Sequence, residues 1–164
     1  MSAARVAIQT QDFDLSAEVD ALRAQDPGVG AVVSFVGTVR DRSDGQGVTR
    51  MELEHYPGMT ERAIESMIDA AHTRFDIRAV RVIHRVGPLQ LQDQIVLLAV
   101  TSAHREQAFK ACEFLMDYLK TQAPFWKKEH TPAGAHWVDA RVGDDDALAR
   151  WGIASSNSTP SALP

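Results

Sequence analysis

Apolar residues recur along the chain with two different periods, which together predict a mixture of helices and strands. A spacing of three to four predicts amphipathic helices over 16–25, 60–75 and 102–122. Alternating or continuous apolar runs predict strands over 6–8, 29–40, 48–56, 80–86, 95–100, 125–129 and 137–141. We expect Asp14 or Ser16 to cap the first helix, Thr60 the second and Ser102 the third. Pro124 ends the third helix because it has no N–H and its ring crowds the preceding turn.

The order of these elements predicts the fold class. From residue 48 the order is strand, helix, strand, strand, helix, strand. The strand over 29–40 is rich in Val and Phe, so we expect it to be buried on much of both faces. The polar segments 41–47 and 87–93 are expected to be a mobile loop and a turn region. The pattern predicts an α+β fold, with the helices packed on one face of a mainly antiparallel sheet.

Length and composition fit one globular domain with a tail. The chain has 164 residues, of which 45% are hydrophobic and 24% charged, and such a chain needs no disulfide or structural metal to hold its core. We expect a single domain over 1–142. Residues 143–164 contain an acidic run, 144–146, and a small, polar C-terminal stretch. That stretch buries too little to offset its ordering entropy, so we expect a mobile tail.

Charge and cysteine content exclude several function classes. A net charge of −5 argues against a general nucleic-acid or anionic-membrane binder. Cys112 is the single cysteine of the sequence, so neither an intrachain disulfide nor a cysteine-based zinc site can form. It falls on the apolar stripe of the third predicted helix, where an inert core thiol is expected. We expect a cytoplasmic protein without a membrane span, a metal site or a cofactor.

Three places in the sequence could bind an anion or carry chemistry. His104 and Arg105 fall in the first turn of a predicted helix, where free N–H groups and the helix dipole favour anions, and Arg40 ends an apolar strand. For the His-Arg pair, an Arg that pairs with a nearby acid is an equally good interpretation, and for Arg40 a strand-end residue that reaches water is the commoner one. Lys120 and Lys127 flank the helix end and could line one pocket. From position alone, solvated lysines are favoured, and His55 and His84 are expected to be buried, hydrogen-bonded residues.

Five stretches of the chain resemble one known family in the family's own order. They are GAVVSFVGTVR (30–40), LEHYPGMT (53–60), VIHRVG (82–87), VTSAHR (100–105) and MDYLKTQAPFWKKE (116–129). Here the chain closely resembles the MoaE family, the large, catalytic subunit of molybdopterin synthase. The resemblance covers about 30 to 141, and five long matches in order are far more specific than one short motif.

The resemblance implies a fold, a reaction and partners. The fold would be an α/β hammerhead with an added antiparallel portion. The enzyme would be a sulfurtransferase of molybdenum cofactor biosynthesis that converts cyclic pyranopterin monophosphate (precursor Z) into molybdopterin. Sulfur would arrive as a thiocarboxylate on the C-terminal Gly-Gly of a small ubiquitin-like, MoaD-like partner subunit. The assembly would be a heterotetramer, in which a homodimer of large subunits carries one small subunit at each end.

The resemblance also assigns site residues. Lys120 and Lys127 match the two pocket lysines, the expected catalytic groups. Arg40, His104 and Arg105 match residues that bind the substrate's phosphate, with the His-Arg pair supplied by the neighbouring large subunit. Further expected substrate contacts are Phe35, Thr38, Val39, Lys128 and Glu129. Thr38 departs from the family pattern, because many members have Lys or another cation at this position.

Two other function classes compete with the enzyme. A non-catalytic module that binds a phosphopterin or a ubiquitin-like tail would keep Arg40 and the helix N-terminus, but it would not need both lysines. A phosphate-ester hydrolase would usually require a metal site or an activated nucleophile, and the sequence shows the pattern of neither. The presence of both Lys120 and Lys127 favours the enzyme.

Overall fold

The computed structural model describes residues 4–43, 46–138, 147 and 149–153. The helices are α1 (Leu15–Arg23), α2 (Met59–Arg74) and α3 (Arg105–Gln122). The strands are β1 (Val6–Gln9), β2 (Ala31–Thr38), β3 (Arg42–Ser43), β4 (Gln46–Gly47), β5 (Arg50–His55), β6 (Ala79–Arg85), β7 (Gly87–Gln90), β8 (Gln94–Ser102), β9 (Phe125–Thr131) and β10 (Gly134–Val138). Within these ranges, no helix is both long and apolar enough to span a bilayer.

The strands form two four-stranded sheets and a small hairpin. The first sheet has the order β1-β6-β8-β2, in which β1 and β6 run parallel and the other pairs are antiparallel. The second sheet has the order β10-β9-β5-β7 and is antiparallel throughout. The hairpin joins β3 to β4 within the predicted loop 41–47. These sheets and three helices confirm the predicted α+β class with mainly antiparallel pairing.

Helices cover both faces of the first sheet, which corrects the expectation that they share one face. Val82, Leu98 and Val100 point to one side, where they pack with buried residues of α2 and α3. Ile83 and Leu97 alternate with them and point to the other side, toward α1. The central strands β6 and β8 are therefore buried on both faces, and β8 has the near-continuous apolar sequence that this position requires.

The first helix begins where the sequence predicted, because Asp14 accepts a hydrogen bond from the Ala17 N–H at 2.9 Å. The predicted cap of α2 is wrong. Gly58 precedes the helix with φ +83°, which glycine adopts freely, and its N–H donates to Glu61 Oε2 at 2.6 Å. Thr60 instead lies inside the first turn, and its hydroxyl donates to the Tyr56 carbonyl.

The predicted cap of α3 is also wrong, because the helix begins three residues later at Arg105, with His104 as the cap residue. The Ser102 hydroxyl donates to the Asp76 carbonyl at 2.8 Å and accepts from the His104 N–H at 3.2 Å. Ser102 therefore shapes the turn that leads into the helix. The loop before β2 lies against this turn, where the Gly30 N–H donates to the Ser102 carbonyl at 3.0 Å.

Strand β2 is an edge strand, and its residues are half-buried or exposed in the single chain. The expectation that it is buried on much of both faces is therefore wrong for the monomer. On the second sheet, β7 pairs with β5 along a segment that the sequence assigned to a turn region. It also lies at a sheet edge, where Pro88 costs no ladder hydrogen bond.

A short stretch of the predicted tail packs on the helices. The Trp151 ring packs edge-to-face against Phe75 and Phe114, with centroid distances of 5.8 and 5.5 Å. Its Nε1–H donates to Asp117 at 2.7 Å, and its carbonyl accepts from Arg74 at 2.8 Å. The stretch 149–153 is thus attached to α2 and α3. The acidic run 144–146 and residues 154–164 lie outside the described residues, so the domain boundary at 142 stays a prediction.

Candidate functional site

A cavity of about 470 Å³ lies where the two sheets meet the end of α3. One side is formed by the end of β2 and the start of β8, and the other by β5 and β9. Three buried apolar residues, Val39, Met51 and Leu53, form part of the cavity wall and belong to a core cluster that joins the two sheets. Apolar walls of this kind leave the polar groups of the lining to orient a ligand.

Lys120 and Lys127 line this same cavity. Lys120 lies in the last turn of α3, and Lys127 is the third residue of β9. The chain leaves the helix at Ala123, whose ψ of 132° is extended, and Pro124 prevents any continuation. This break turns β9 back along the cavity, so two lysines from different elements face one space.

Strand alternation separates Lys127 from Lys128. Lys127 and Glu129 share one face of β9 and form an ion pair of 2.9 Å, in which the Glu129 side chain is 3% exposed and that of Lys127 36%. A buried carboxylate requires such a partner, since removing it from water is costly. Lys128 points to the opposite face, and its ammonium lies 5.7 Å from the centroid of the Trp137 ring. The structure brings Lys127 and Glu129 to the cavity but not Lys128.

The end of β2 supplies four of the predicted site residues. Phe35, Thr38, Val39 and Arg40 all line the cavity. The register of β2 against β8 shifts between Gly37 and Thr38, and a bulge of this kind re-aims the side chains that follow it. Arg40 is exposed, so its guanidinium can reach a bound anion without leaving a buried ion pair.

His104 and Arg105 lie elsewhere. They stand at the start of α3, where both are exposed. Lys120 follows Arg105 by 15 residues in one helix, which separates the two by about 22 Å at a rise of about 1.5 Å per residue. The single chain therefore does not join the His-Arg pair to the lysines. A Cβ on Gly30 would overlap the Ala103 carbonyl oxygen just before this pair.

Among the lining residues with a charged or imidazole side chain, sequence reasoning missed two. Arg42, in the β3–β4 hairpin, adds a fourth cation to the cavity. His84 is buried and hydrogen-bonded, as predicted, because its Nδ1 lies 2.8 Å from the Arg85 carbonyl oxygen. It also lines the cavity, which the prediction did not include. The signal available in the sequence was a histidine that follows two buried apolar residues, Val82 and Ile83, in a central strand.

The lining is strongly cationic for so small a space. Arg40, Arg42, Lys120 and Lys127 face it, and among the described lining residues Glu129 is the sole carboxylate. Burial lowers the pKa of His84 to about 4, and the nearby His55 and Lys120 act in the same direction, so this ring is neutral near pH 7. The arrangement can bind an anion and stabilise negative charge that develops beside the lysines.

The family model described as MoaE protein matches residues 8–122 of the chain. The chain belongs to the MoaE family. A molybdopterin synthase catalytic subunit from Ralstonia nicotianae is 62% identical over 154 residues, covering 94% of this chain and 88% of the relative. This relationship confirms the family resemblance and the prediction of an enzyme of this type.

Solved structures of the family share the fold. A molybdopterin biosynthesis MoaE protein from Burkholderia ambifaria matches with a TM-score of 0.79 and 58% identity, covering 92% of this chain and 99% of that one. A chain in a protein–protein complex of subunits 1 and 2 of molybdopterin-converting factor from Helicobacter pylori matches with a TM-score of 0.69 and 20% identity, covering 84% and 92%. The second likeness bears on the fold alone.

Proposed function

We propose that the chain converts cyclic pyranopterin monophosphate into molybdopterin, with sulfur from the C-terminal thiocarboxylate of a small ubiquitin-like subunit. The observation that carries the proposal is that Lys120, Lys127 and Arg40 line one cavity. A phosphorylated pterin and a thiocarboxylate are both anionic, so they repel each other. A partly enclosed site with several cations offsets that repulsion.

The lysines have separate roles in this proposal. Lys127, held by Glu129 at 2.9 Å, fixes and polarises the thiocarboxylate or the acyl intermediate that follows it. Lys120 assists proton transfer at the pterin side chain. Each partner tail gives up one sulfur and leaves as a carboxylate, so the two sulfurs of the dithiolene require two tails. Arg40 binds the phosphate, and Phe35, Thr38 and Val39 contact the substrate beside it.

A second large subunit completes the site. His104 and Arg105 are exposed at the far end of α3 from Lys120, so they reach a phosphate only in the cavity of a neighbouring copy. A homodimer with one small subunit at each end satisfies this requirement. Lys128 would contact substrate only within such an assembly. We place the reaction in the cytoplasm, in keeping with the single, buried cysteine.

Substitution of Lys127 tests the proposal. The purified chain is incubated with cyclic pyranopterin monophosphate and thiocarboxylated small subunit, and the dithiolene product is measured. Lys127→Ala should lower the rate by about 100-fold or more, as expected for loss of a charge-stabilising donor. Lys110→Ala is the matched control, since Lys110 lies on the surface of α3 and pairs with Glu106 at 2.8 Å. Normal sulfur transfer by Lys127→Ala would contradict the assignment of this lysine.

A further inference from the structure

His84 lines the cavity, and its ring is held by one stacking contact and one hydrogen bond. The ring stacks on Phe125, with centroids 3.8 Å apart and an angle of 18° between the planes. It is 8% exposed and lines the cavity together with Met116 and Leu119. A histidine fixed in this way cannot swing out to solvent, so any polar atom it presents to the cavity has a defined position.

The tautomer of His84 follows from its one hydrogen bond. Nδ1 lies 2.8 Å from the Arg85 carbonyl oxygen, which can only accept, so Nδ1 carries the proton. In a neutral imidazole the other nitrogen then holds a lone pair. Nε2 is the polar atom of the ring that remains for the cavity, and it is an acceptor.

An acceptor at this place differs from the charged groups of the cavity. The four cationic side chains that line the cavity can only donate hydrogen bonds. Glu129 is an acceptor, but its Oε1 is engaged by Lys127 at 2.9 Å. The Thr38 hydroxyl is a second neutral acceptor in the lining. A ligand that carries both an anionic group and an N–H or O–H group therefore finds cations near Arg40 and a neutral, fixed acceptor beside Phe125.

We propose that His84 is a substrate-binding residue whose Nε2 accepts a hydrogen bond from an N–H or O–H group of the pterin. The inference rests on the function proposed above, and it adds a determinant that distinguishes a heterocycle with such a donor from a simple anion. The ring accepts and does not remove a proton, because its burial makes it a weak base. Its contribution is to affinity and orientation.

Two amide variants separate this role from a structural one. In His84→Asn the amide NH₂ stands near the position of Nδ1, so the bond to the Arg85 carbonyl can persist while the Nε2 acceptor is lost. In His84→Gln the longer side chain reaches the position of Nε2 and its carbonyl oxygen can replace the acceptor. Dissociation constants for cyclic pyranopterin monophosphate and for inorganic phosphate are measured by titration calorimetry on the full chain, and folding is checked by thermal unfolding.

The expected result is that His84→Asn binds the pterin about five- to tenfold more weakly, as for loss of one hydrogen bond, while phosphate affinity is unchanged. His84→Gln should regain most of the affinity. Pterin affinity of His84→Asn equal to wild type, equal weakening in both variants, or parallel loss of phosphate affinity would each overturn the inference. So would failure of the wild-type chain to bind the pterin. Normal pterin binding without sulfur transfer would instead contradict the proposed function and leave the role of His84 intact.

Discussion

His84 has a different charge state in the folded and unfolded chain at mildly acidic pH. Its pKa falls from an ordinary 6.5 to about 4, mainly because burial disfavours the charged ring. Below pH 6.5 the His84 ring is protonated in the unfolded chain, whereas in the folded chain it stays neutral until the pH approaches 4. The stability that depends on a neutral ring is therefore complete above pH 6.5 and is lost as the pH falls toward 4.

We expect the free energy of unfolding to fall by about 2–3 kcal/mol between pH 7.5 and pH 4.5 on account of this residue. Urea denaturation of wild type and His84→Gln at the two pH values measures it, and the variant should lose most of the pH dependence. His72→Gln serves as the comparison. Burial also lowers the pKa of His72, but that ring is only partly buried. An unchanged pH dependence in His84→Gln would contradict the burial argument.

Cys112 should be unreactive in the native protein. Burial raises the pKa of its thiol to about 11, so at pH 8 very little thiolate exists, and the side chain lies in the main core cluster. A disulfide-exchange reagent such as Ellman's reagent should therefore release about one equivalent of chromophore in urea and almost none in buffer. Rapid reaction of the folded chain would show that the thiol is accessible.

At the residue scale, sequence reasoning found groups with a local signature and missed those placed by tertiary structure. Lys120 and Lys127 flank a proline break, and Arg40 ends an apolar strand, so each is visible in a short window. Arg42 and His84 are 42 positions apart in the chain and line one cavity only because the fold brings the β3–β4 hairpin and β6 to the same space. No local pattern contains that information.

The sequence pattern predicts only roughly which residue caps each helix, and therefore where each helix begins. Ser, Thr and Asp are all good caps, yet only Asp14 among the expected residues caps its helix. Thr60 and Ser102 bond to the carbonyls of Tyr56 and Asp76 instead. The Tyr56 carbonyl is local, whereas the Asp76 carbonyl belongs to another segment of the fold. The predicted starts of α2 and α3 were displaced by one and three residues.

The Asp14 cap gives a prediction for α1. Asp14→Ala removes the acceptor for the Ala17 N–H and should destabilise the protein by about 1 kcal/mol. Denaturant unfolding measures this change. Asp14→Asn keeps an oxygen acceptor and should remain within a few tenths of a kcal/mol of wild type. Equal losses in both variants would point to charge rather than the hydrogen bond.

The central strand β8 was predicted from the sequence, whereas the edge strand β7 was not. The central strand β8 has a continuous apolar run that was predicted correctly. The edge strand β7 contains Gly87 and Pro88, which resemble a turn. An edge needs ladder hydrogen bonds on one side only, so its sequence is less constrained. The small hairpin of β3 and β4 escaped prediction for the same reason.

For the whole molecule, the proposed division of the site between two copies has a quantitative consequence. A dimer that mixes Arg105→Ala with Lys127→Ala contains one intact site and one doubly altered site if each site draws on both chains. Random mixing of equal amounts makes about half of the dimers mixed, so about a quarter of wild-type activity should return. Verified mixed dimers without recovery would place both residues in the site of one chain.

Gly30 shows how a residue outside the lysine-bearing cavity is constrained by its neighbours. Its N–H bonds to Ser102, and a side chain there would press on the Ala103 carbonyl. The loop before β2 therefore fixes the position of the turn that leads into α3. Even a methyl group at position 30 would displace this turn and change the directions in which His104 and Arg105 point. A deep mutational scan should show that position 30 tolerates few substitutions. Variants at this position should bind phosphate more weakly, although every proposed catalytic side chain is still present.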